Sequence, residues 1–479
     1  MYDRMTTYTT EALTKIHDGA MNVLKTAGVK FDDDEAIDLF KRAGLKVDDK
    51  IVFFSEKIIS QALETAPSYF RLDARDPVKG VPIGGDHFAL APGYGAAFII
   101  TPDGLQRETT LKDYNDFCKL VQTSAFINVN GFLMVMPADV PSETSHLDML
   151  YSNIVYCDKP FMGSPVSREA AADCIEMTRI VWGSHAKIQE TPVTASLITP
   201  LSPLQYTVEM AGAVIELARY NQACIFGILI LAGASGPISL AGTLVQQTAE
   251  ILAGVTLTQL VRPGAPVIVG GTSAIMDMRT GCLAMGAPEV SRIASATAQM
   301  AKFYNLPARC GCAVTDSQLP DAQAGFESGL NLMTAIRNGS NFVLHAAGIL
   351  GSYGAMSYEK FIIDEEICGI VLESLKPIEI SDHSIDIDLI KKIGIGGDHI
   401  THPKTLELCR TAFYLPALMN RKNYAGWQEN GGKDIRERAA ACLETRLSAY
   451  QKPDIDPQIE KDLLTYVKKR KREYEVGLR

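Results

Sequence analysis

Apolar positions along this chain change period twice before residue 130. From Thr9 to about Phe70 they recur at helical spacing. Thr9 to Ala12 opens a helix whose apolar face runs through Ile16, Met21 and Leu24. Asp32 to Asp34 cap a second helix, which Gly44 ends, and Ser55 opens a third that stops before Pro67. Short amphipathic helices of this kind need a larger body to pack against. Residues 68–104 then read as β-hairpins with tight turns, as in GDHFALAPGYGAAFIITPDG.

From about Leu111 the pattern alternates between helix and strand. Strands are predicted at 126–134, 160–165, 193–199, 223–231, 266–272, 308–314 and 341–347. They are continuous apolar runs, as expected of parallel strands covered by helices. Helical segments such as SREAAADCIEMTRIVWG and SLAGTLVQQTAEILAGVTLTQLVRPG separate them. The pattern predicts an α/β fold, a (β/α)₈ TIM-type barrel with an N-terminal helical and β-hairpin extension. The divisions expected are 1–110 for the extension, 111–425 for the barrel and 426–479 for a C-terminal helical segment. The eighth strand falls either in an irregular segment after Gly348 or in the hairpin region before Leu111. An open doubly wound sheet is the alternative, weakened by the lack of a G-x-G-x-x-G between an early strand and helix.

Composition narrows the function classes. The 479 residues carry 47% hydrophobic and 21% charged side chains, an ordinary soluble composition, and a formal net charge of −10 argues against nucleic acid as a partner. The run KKRKR at 468–472 is expected to be a solvated face of a last helix. No export signal and no membrane-length apolar run is recognisable, so the ten cysteines read as reduced thiols of a cytoplasmic protein. Cys310 and Cys312 form the one close pair and read as small core residues.

In a barrel the active site lies where strands end and loops begin. These loops are rich in Gly, Ser, Thr and Pro, and from Thr191 to Glu359 the only lysine is Lys302, inside a helical run. A Schiff-base mechanism therefore loses weight. A metal-dependent hydrolase needs several ligands, and His345 is the only histidine between Thr191 and Tyr353. The loops are instead acidic and aromatic: Asp277, Asp316, Asp321 and Glu327, with Tyr94, Phe98, Tyr353, Tyr358 and Phe361. Aromatic faces attract quaternary ammonium ions by about 0.5–2 kcal/mol per contact.

Two long blocks, LAGASGPISLAGTLVQQTAEILAGVTLTQLVRPGAPVIVGGTSAIMDMRTG (231–281) and LAMGAPEVSRIASATAQMAKFYNLPARCGCAVTDSQLPDAQAGFESG (283–329), resemble the trimethylamine methyltransferase superfamily. The likeness runs from the N-terminus to about Ala425. It implies an α/β barrel that moves a methyl group from an amine to the Co(I) of a corrinoid on a separate small protein. The trimethylamine branch uses pyrrolysine. Every position here is a standard residue, which puts trimethylamine in doubt and points to the branch acting on quaternary amines. Glycine betaine, giving dimethylglycine, is the expected substrate, with carnitine and proline betaine as alternatives. A non-catalytic betaine-binding protein and a metal-independent lyase with Asp277 or Glu327 as base remain open. No tightly bound cofactor is expected. The expected partners are the corrinoid protein and a second copy of the chain in a homo-oligomer, with neither nucleic acid nor membrane.

His345, on a predicted strand face shared with Val343 and Ala347, is the candidate carboxylate ligand. Asn128 and Asn130, on one face of the first predicted strand, are candidate amide donors, and Gln318 and Gln323 weaker ones. Tyr94, Phe98, Tyr353 and Asp277 complete the candidate substrate-binding set. No residue is singled out as catalytic.

Overall fold

In the computed structural model, which describes residues 2–477, seven short strands form one parallel sheet. They are β1 (Ala89–Leu90), β2 (Phe161–Met162), β3 (Thr194–Ile198), β4 (Ala223–Ile228), β5 (Val267–Gly271), β6 (Ala308–Gly311) and β7 (Phe342–Leu344). Each of β2 to β7 pairs with the next in chain order, and β7 pairs with β1. The ring closes through residues 127–130. Asn128 N donates to Leu90 O at 3.0 Å, and Met162 N donates to Asn130 O at 2.9 Å. The eighth stave is therefore Ala89–Leu90, inside the predicted hairpin region, and the predicted run 126–134 supplies its neighbour through the irregular 127–130 segment. An open sheet is excluded by this closure.

Eight helices follow the eight staves in turn: Leu111–Thr123, Ser145–Tyr156, Arg168–Trp182, Val208–Arg219, Leu240–Val261, Pro288–Phe303, Ala322–Arg337 and Tyr358–Ser374. Among the described residues no helix is long and apolar enough to cross a membrane. The predicted N-terminal helices form at Thr10–Thr26, Asp34–Arg42 and Glu56–Thr65, with Thr9 and Asp33 accepting the capping bonds from Ala12 N and Ala36 N. All three pack on Leu240–Val261. That helix is consequently buried from Thr243 to Gln259 on every face, which is why its apolar pattern lacks a polar stripe. The helices Ile435–Ala449 and Pro457–Glu475 cover other parts of the ring.

The basic run departs from its expectation. Arg470 Nε meets Asp173 Oδ1 at 2.6 Å and Lys471 Nζ meets Asp148 at 2.7 Å. Asp173 also takes bonds from His146 and Tyr466. Part of KKRKR is thus a clasp holding the last helix to the barrel.

The loops at the strand C-termini carry their own small sheets. Strands Ile349–Leu350 and Ala355–Met356 join Phe98–Ile100 and Gln106–Glu108, so the loops after β7 and β1 form one layer. Beneath it, Lys360 and Asp364 form a fully buried pair, with Lys360 Nζ donating to Ser328 Oγ at 2.8 Å. Asp364 accepts from Gly348 N at 2.8 Å, and burial raises its pKa. Lys360→Met strips this carboxyl of its partner and is expected to lower stability by about 3–5 kcal/mol, whereas Lys360→Met with Asp364→Leu restores most of it. Chemical denaturation of the two variants checks this.

Candidate active site

Inside the barrel mouth the sequence places one charge among apolar and glycine residues. Arg309 lies on β6 and is 1% exposed. Its Nη1 reaches Thr272 Oγ1 at 3.4 Å, and its Nε has no partner. Among the described residues no carboxylate pairs with it. Burial lowers its pKa, yet a guanidinium stays charged. Room for it comes from Gly227 on β4, where a Cβ would sit 2.5 Å from Leu197 Cδ1 and 3.5 Å from Arg309 Nη1.

His345 follows β7 directly. It is 4% exposed, and its backbone leaves the strand with φ +65°. The face shared with Val343 and Ala347 is therefore not realised, because the alternation ends at Leu344. Its Nδ1 has no partner and lies 3.1 Å from where a Cβ on Gly311 would be. Burial first, and the charge of Arg309 second, hold its pKa well below 6.5, with the Tyr94 backbone pulling the other way. The imidazole is neutral at physiological pH and offers an N–H.

Two of the predicted aromatics join this pair. The Tyr353 ring lies 4.7 Å from the His345 ring, its hydroxyl is buried without a partner, and its φ is +80°. Burial pushes its pKa up to about 12. Tyr94 is half-buried, with its pKa raised by burial and drawn back by Arg309. Left-handed backbone at two touching non-glycine residues costs about 1–3 kcal/mol each and clusters at functional sites.

The other candidates go elsewhere. Phe98 packs with Ile100, Ala324, Leu350 and Ala355 in a separate cluster. Asp277 binds Arg279 at 2.7 Å in a hairpin turn, and that contact holds its pKa at about 2. Asn128 accepts from Leu90 N at 2.7 Å and serves ring closure. Asn130 is buried and donates to Asn153 at 2.8 Å, leaving its Oδ1 unpaired. The two amides do not share a face, because residues 127–130 are not an extended strand. Gln318 lies against Gly351, and Gln323 donates to Glu327. Asp321 caps the helix Ala322–Arg337, and Tyr358 donates to Asp113 at 2.8 Å. Glu327 and Asp316 pin loops: Glu327 accepts from Asp316 N, and Asp316 from Met285 N and the Ser352 hydroxyl.

The arrangement is a buried cation and a neutral imidazole, each with a nitrogen that has no partner, beside two aromatic rings. Residues 1–475 match the family Trimethylamine methyltransferase (MTTB). The chain belongs to the trimethylamine methyltransferase family. It is 43% identical over 465 residues to a glycine betaine methyltransferase of Desulfitobacterium hafniense (strain Y51), covering 97% of each chain. It is 34% identical to a proline betaine:corrinoid methyltransferase of Eubacterium limosum, covering 94% of each. Trimethylamine methyltransferase MttB of Methanosarcina barkeri (strain Fusaro / DSM 804) is 30% identical, over 96% of this chain and 94% of that one. Among solved structures, the monomethylamine methyltransferase MtmB of Methanosarcina barkeri matches at a TM-score of 0.50 and 12% identity, covering 94% of this chain and 96% of that one.

Arg309 is the candidate site residue that the sequence pattern did not single out. Its signal is a lone arginine in the apolar strand ARCG, two residues before Gly311, in a region otherwise poor in lysine and histidine. Removing an unpaired buried cation is expected to be neutral or stabilising. Arg309→Met should keep or raise the thermal midpoint. The depressed pKa of His345 gives a second expectation. Below pH 6.5 the unfolded histidine takes a proton that the folded one refuses, so wild-type stability falls with pH until the folded pKa is passed. Relative to His345→Gln, the loss approaches about 1.4 kcal/mol per pH unit. Denaturation curves from about pH 7.5 to 5.5 that stay parallel for the two proteins would contradict it.

Proposed function

We propose that this protein transfers a methyl group from glycine betaine to the Co(I) of a corrinoid carried by a separate protein, releasing dimethylglycine. The observation that carries the reading is the pair Arg309 and His345. Both are buried, each with a side-chain nitrogen that has no partner; a substrate carboxylate supplies an acceptor for Arg309 Nε and, in the tautomer with the proton on Nδ1, for His345. The 43% identity to a glycine betaine methyltransferase fits this choice of substrate.

The substrate is divided between two kinds of surface. Arg309 takes the carboxylate, and its buried charge is strong in a site that excludes water. His345 donates a neutral N–H to the same group. Tyr353 and Tyr94 turn ring faces toward the trimethylammonium end, which is attracted to their quadrupoles. Anchoring at the closed end leaves one N–methyl bond directed out of the barrel. When docked, the partner's corrinoid supplies the nucleophile; the N–C bond electrons stay on nitrogen, and the methyl group takes its new pair from cobalt. No residue of this chain needs to move a proton, because the leaving amine departs neutral. The chain's contribution is orientation.

The mouth is suited to a protein partner. Met136, Val166, Val208, Ile238 and Phe326 are exposed, and all follow the C-terminal ends of barrel staves. A groove of about 600 Å³ lined by Leu133, Met136, Val166 and Val208 opens there, and neither Arg309 nor His345 lines it. Such apolar rims mark interaction surfaces.

The test is anaerobic mixing of the protein with Co(I) cobalamin, or its corrinoid protein, and one amine at a time. Loss of the Co(I) absorbance with matching dimethylglycine is expected for glycine betaine, and a much weaker response for carnitine, proline betaine and trimethylamine. No response to any amine with either acceptor would favour a binding protein. His345→Ala should raise KM sharply, and Arg309→Met should weaken betaine binding by about 30-fold or more, the loss of about 2–5 kcal/mol expected for a buried charged pair. Unchanged kinetics in either variant removes that residue from the site.

A further inference from the structure

The wall of the barrel that meets the guanidinium of Arg309 is built by β3 and β4. Thr194 and Ser196 of β3 point outward, since both lie beside Gly163 together with Cys174 of the helix Arg168–Trp182. Leu197, one residue on, therefore faces the interior. It is half-buried, whereas the other residues of β3 are buried. Helices cover the outside of the ring, so an inward leucine that keeps exposure stands at an open space. Thr199 and Leu229, which follow β3 and β4, are half-buried as well.

Gly227 of β4 fixes how far this wall stands from the cation. A Cβ built there would meet Leu197 Cδ1 at 2.5 Å and Arg309 Nη1 at 3.5 Å. The leucine methyl and the guanidinium are thus separated by no more than the room one methyl group takes. Leucine has no hydrogen-bonding group in its side chain, so it neither pairs the cation nor competes for the anion that does. Its contribution to the site is shape.

We infer that Leu197 is a specificity-determining residue, which restricts the site to betaines with a single carbon between carboxylate and nitrogen. The inference rests on the betaine reading given above and adds chain length to it. A carboxylate held by Arg309 and His345 leaves the rest of the substrate little choice of place. With a one-carbon spacer the trimethylammonium group stays close to its own carboxylate, and hence to the wall in front of Arg309. Its N-methyl groups fill the space before Leu197, while Tyr94 and Tyr353 offer their rings. Each added methylene either folds back against Leu197 or carries the nitrogen toward the mouth. The first route costs overlap with a packed wall, and the second gives up the attraction of the ring faces. An apolar pocket distinguishes one methylene by about 10–200-fold, so this wall sorts a homologous series without a polar contact. A hydroxyl on the spacer is refused for a second reason, because against Leu197 it would lose water and gain no partner.

The experiment is calorimetry of the full chain with trimethylammonium carboxylates whose spacer is one, two or three carbons, together with the thermal midpoint of each variant. Wild type is expected to bind the one-carbon betaine about 10-fold or more tighter than the three-carbon one. Leu197→Ala should cut that ratio by about fivefold or more, chiefly by gaining affinity for the longer ligand, and Leu197→Phe should raise it. A role in packing alone would lower the midpoint of Leu197→Ala and leave the ratio where it was, and that result overturns the inference. So does a wild type that binds all three ligands equally well. A wild type that binds none of the three overturns the substrate reading itself, which keeps the two failures apart.

Discussion

The burial of Arg309 without a counter-ion is the constraint on which the site depends. A guanidinium taken out of water carries a penalty of several kcal/mol unless an anion meets it. Nothing else nearby is permitted to add positive charge: the neighbouring imidazole is held neutral by burial and by that same cation, and the barrel loops hold almost no lysine. The space is made by omission. Gly227 and Gly311 face Arg309 and His345, and a methyl group at either position would press on a neighbour. The proposed role for this interior is to receive one small anion, the substrate carboxylate.

The carboxylate that acts on Tyr353, Asp316, is engaged by Met285 N and the Ser352 hydroxyl, and the proposed chemistry asks for no free carboxylate at the cation end. A quaternary nitrogen loses its positive charge as the methyl group departs. An aspartate beside it would hold the charged ground state more strongly than the transition state, and so slow the step. Aromatic faces attract the cation weakly, by about 0.5–2 kcal/mol, and surrender it at small expense. Asp277, the acidic residue the sequence suggested for this role, is instead tied to Arg279 in a turn. The strong interaction is placed on the carboxylate, whose charge is the same before and after reaction. Binding energy at that end orients the substrate without favouring the reactant.

Much of the fold was legible because long apolar runs and helix caps are local signals. Six strands from β2 to β7 lie within predicted runs, and the three N-terminal helices start at their predicted caps. Of the two remaining staves, Ala89–Leu90 offers too few residues to show a period, and 127–130 lies within the predicted run 126–134 but makes ladder bonds without extended geometry. That irregularity also undid the Asn128 and Asn130 pairing, which assumed strict alternation. Phe98 and Asp277 failed because the mouth loops fold into hairpins of their own, so adjacency to a strand end did not imply proximity to the pocket. Arg309 was hidden by the question asked, since a charge without a partner has no motif.

His345 shows why strand parity was the wrong guide at the one residue it mattered most. On a continuing strand the ring would point along or against the row of Val343, fixed by the sheet. By entering the left-handed region the chain leaves strand geometry after Leu344, with the amides of His345 and Ala346 still donating to Pro92 O and Ala91 O, and turns the imidazole against Tyr353 and toward Gly311. That conformation is strained, as is the one at Tyr353, and strain persists only where surroundings over-determine it. Here they do. Gly348 N is held by Asp364, Gly351 N and Ser352 N are held by the carbonyls of Ser317 and Thr315, and the Ser352 hydroxyl is held by Asp316. The loop is thus fixed from both sides by groups that never touch the ligand. Under the proposed function the side chains are positioned before a carboxylate arrives, so the ordering cost of binding is met in folding rather than in each encounter.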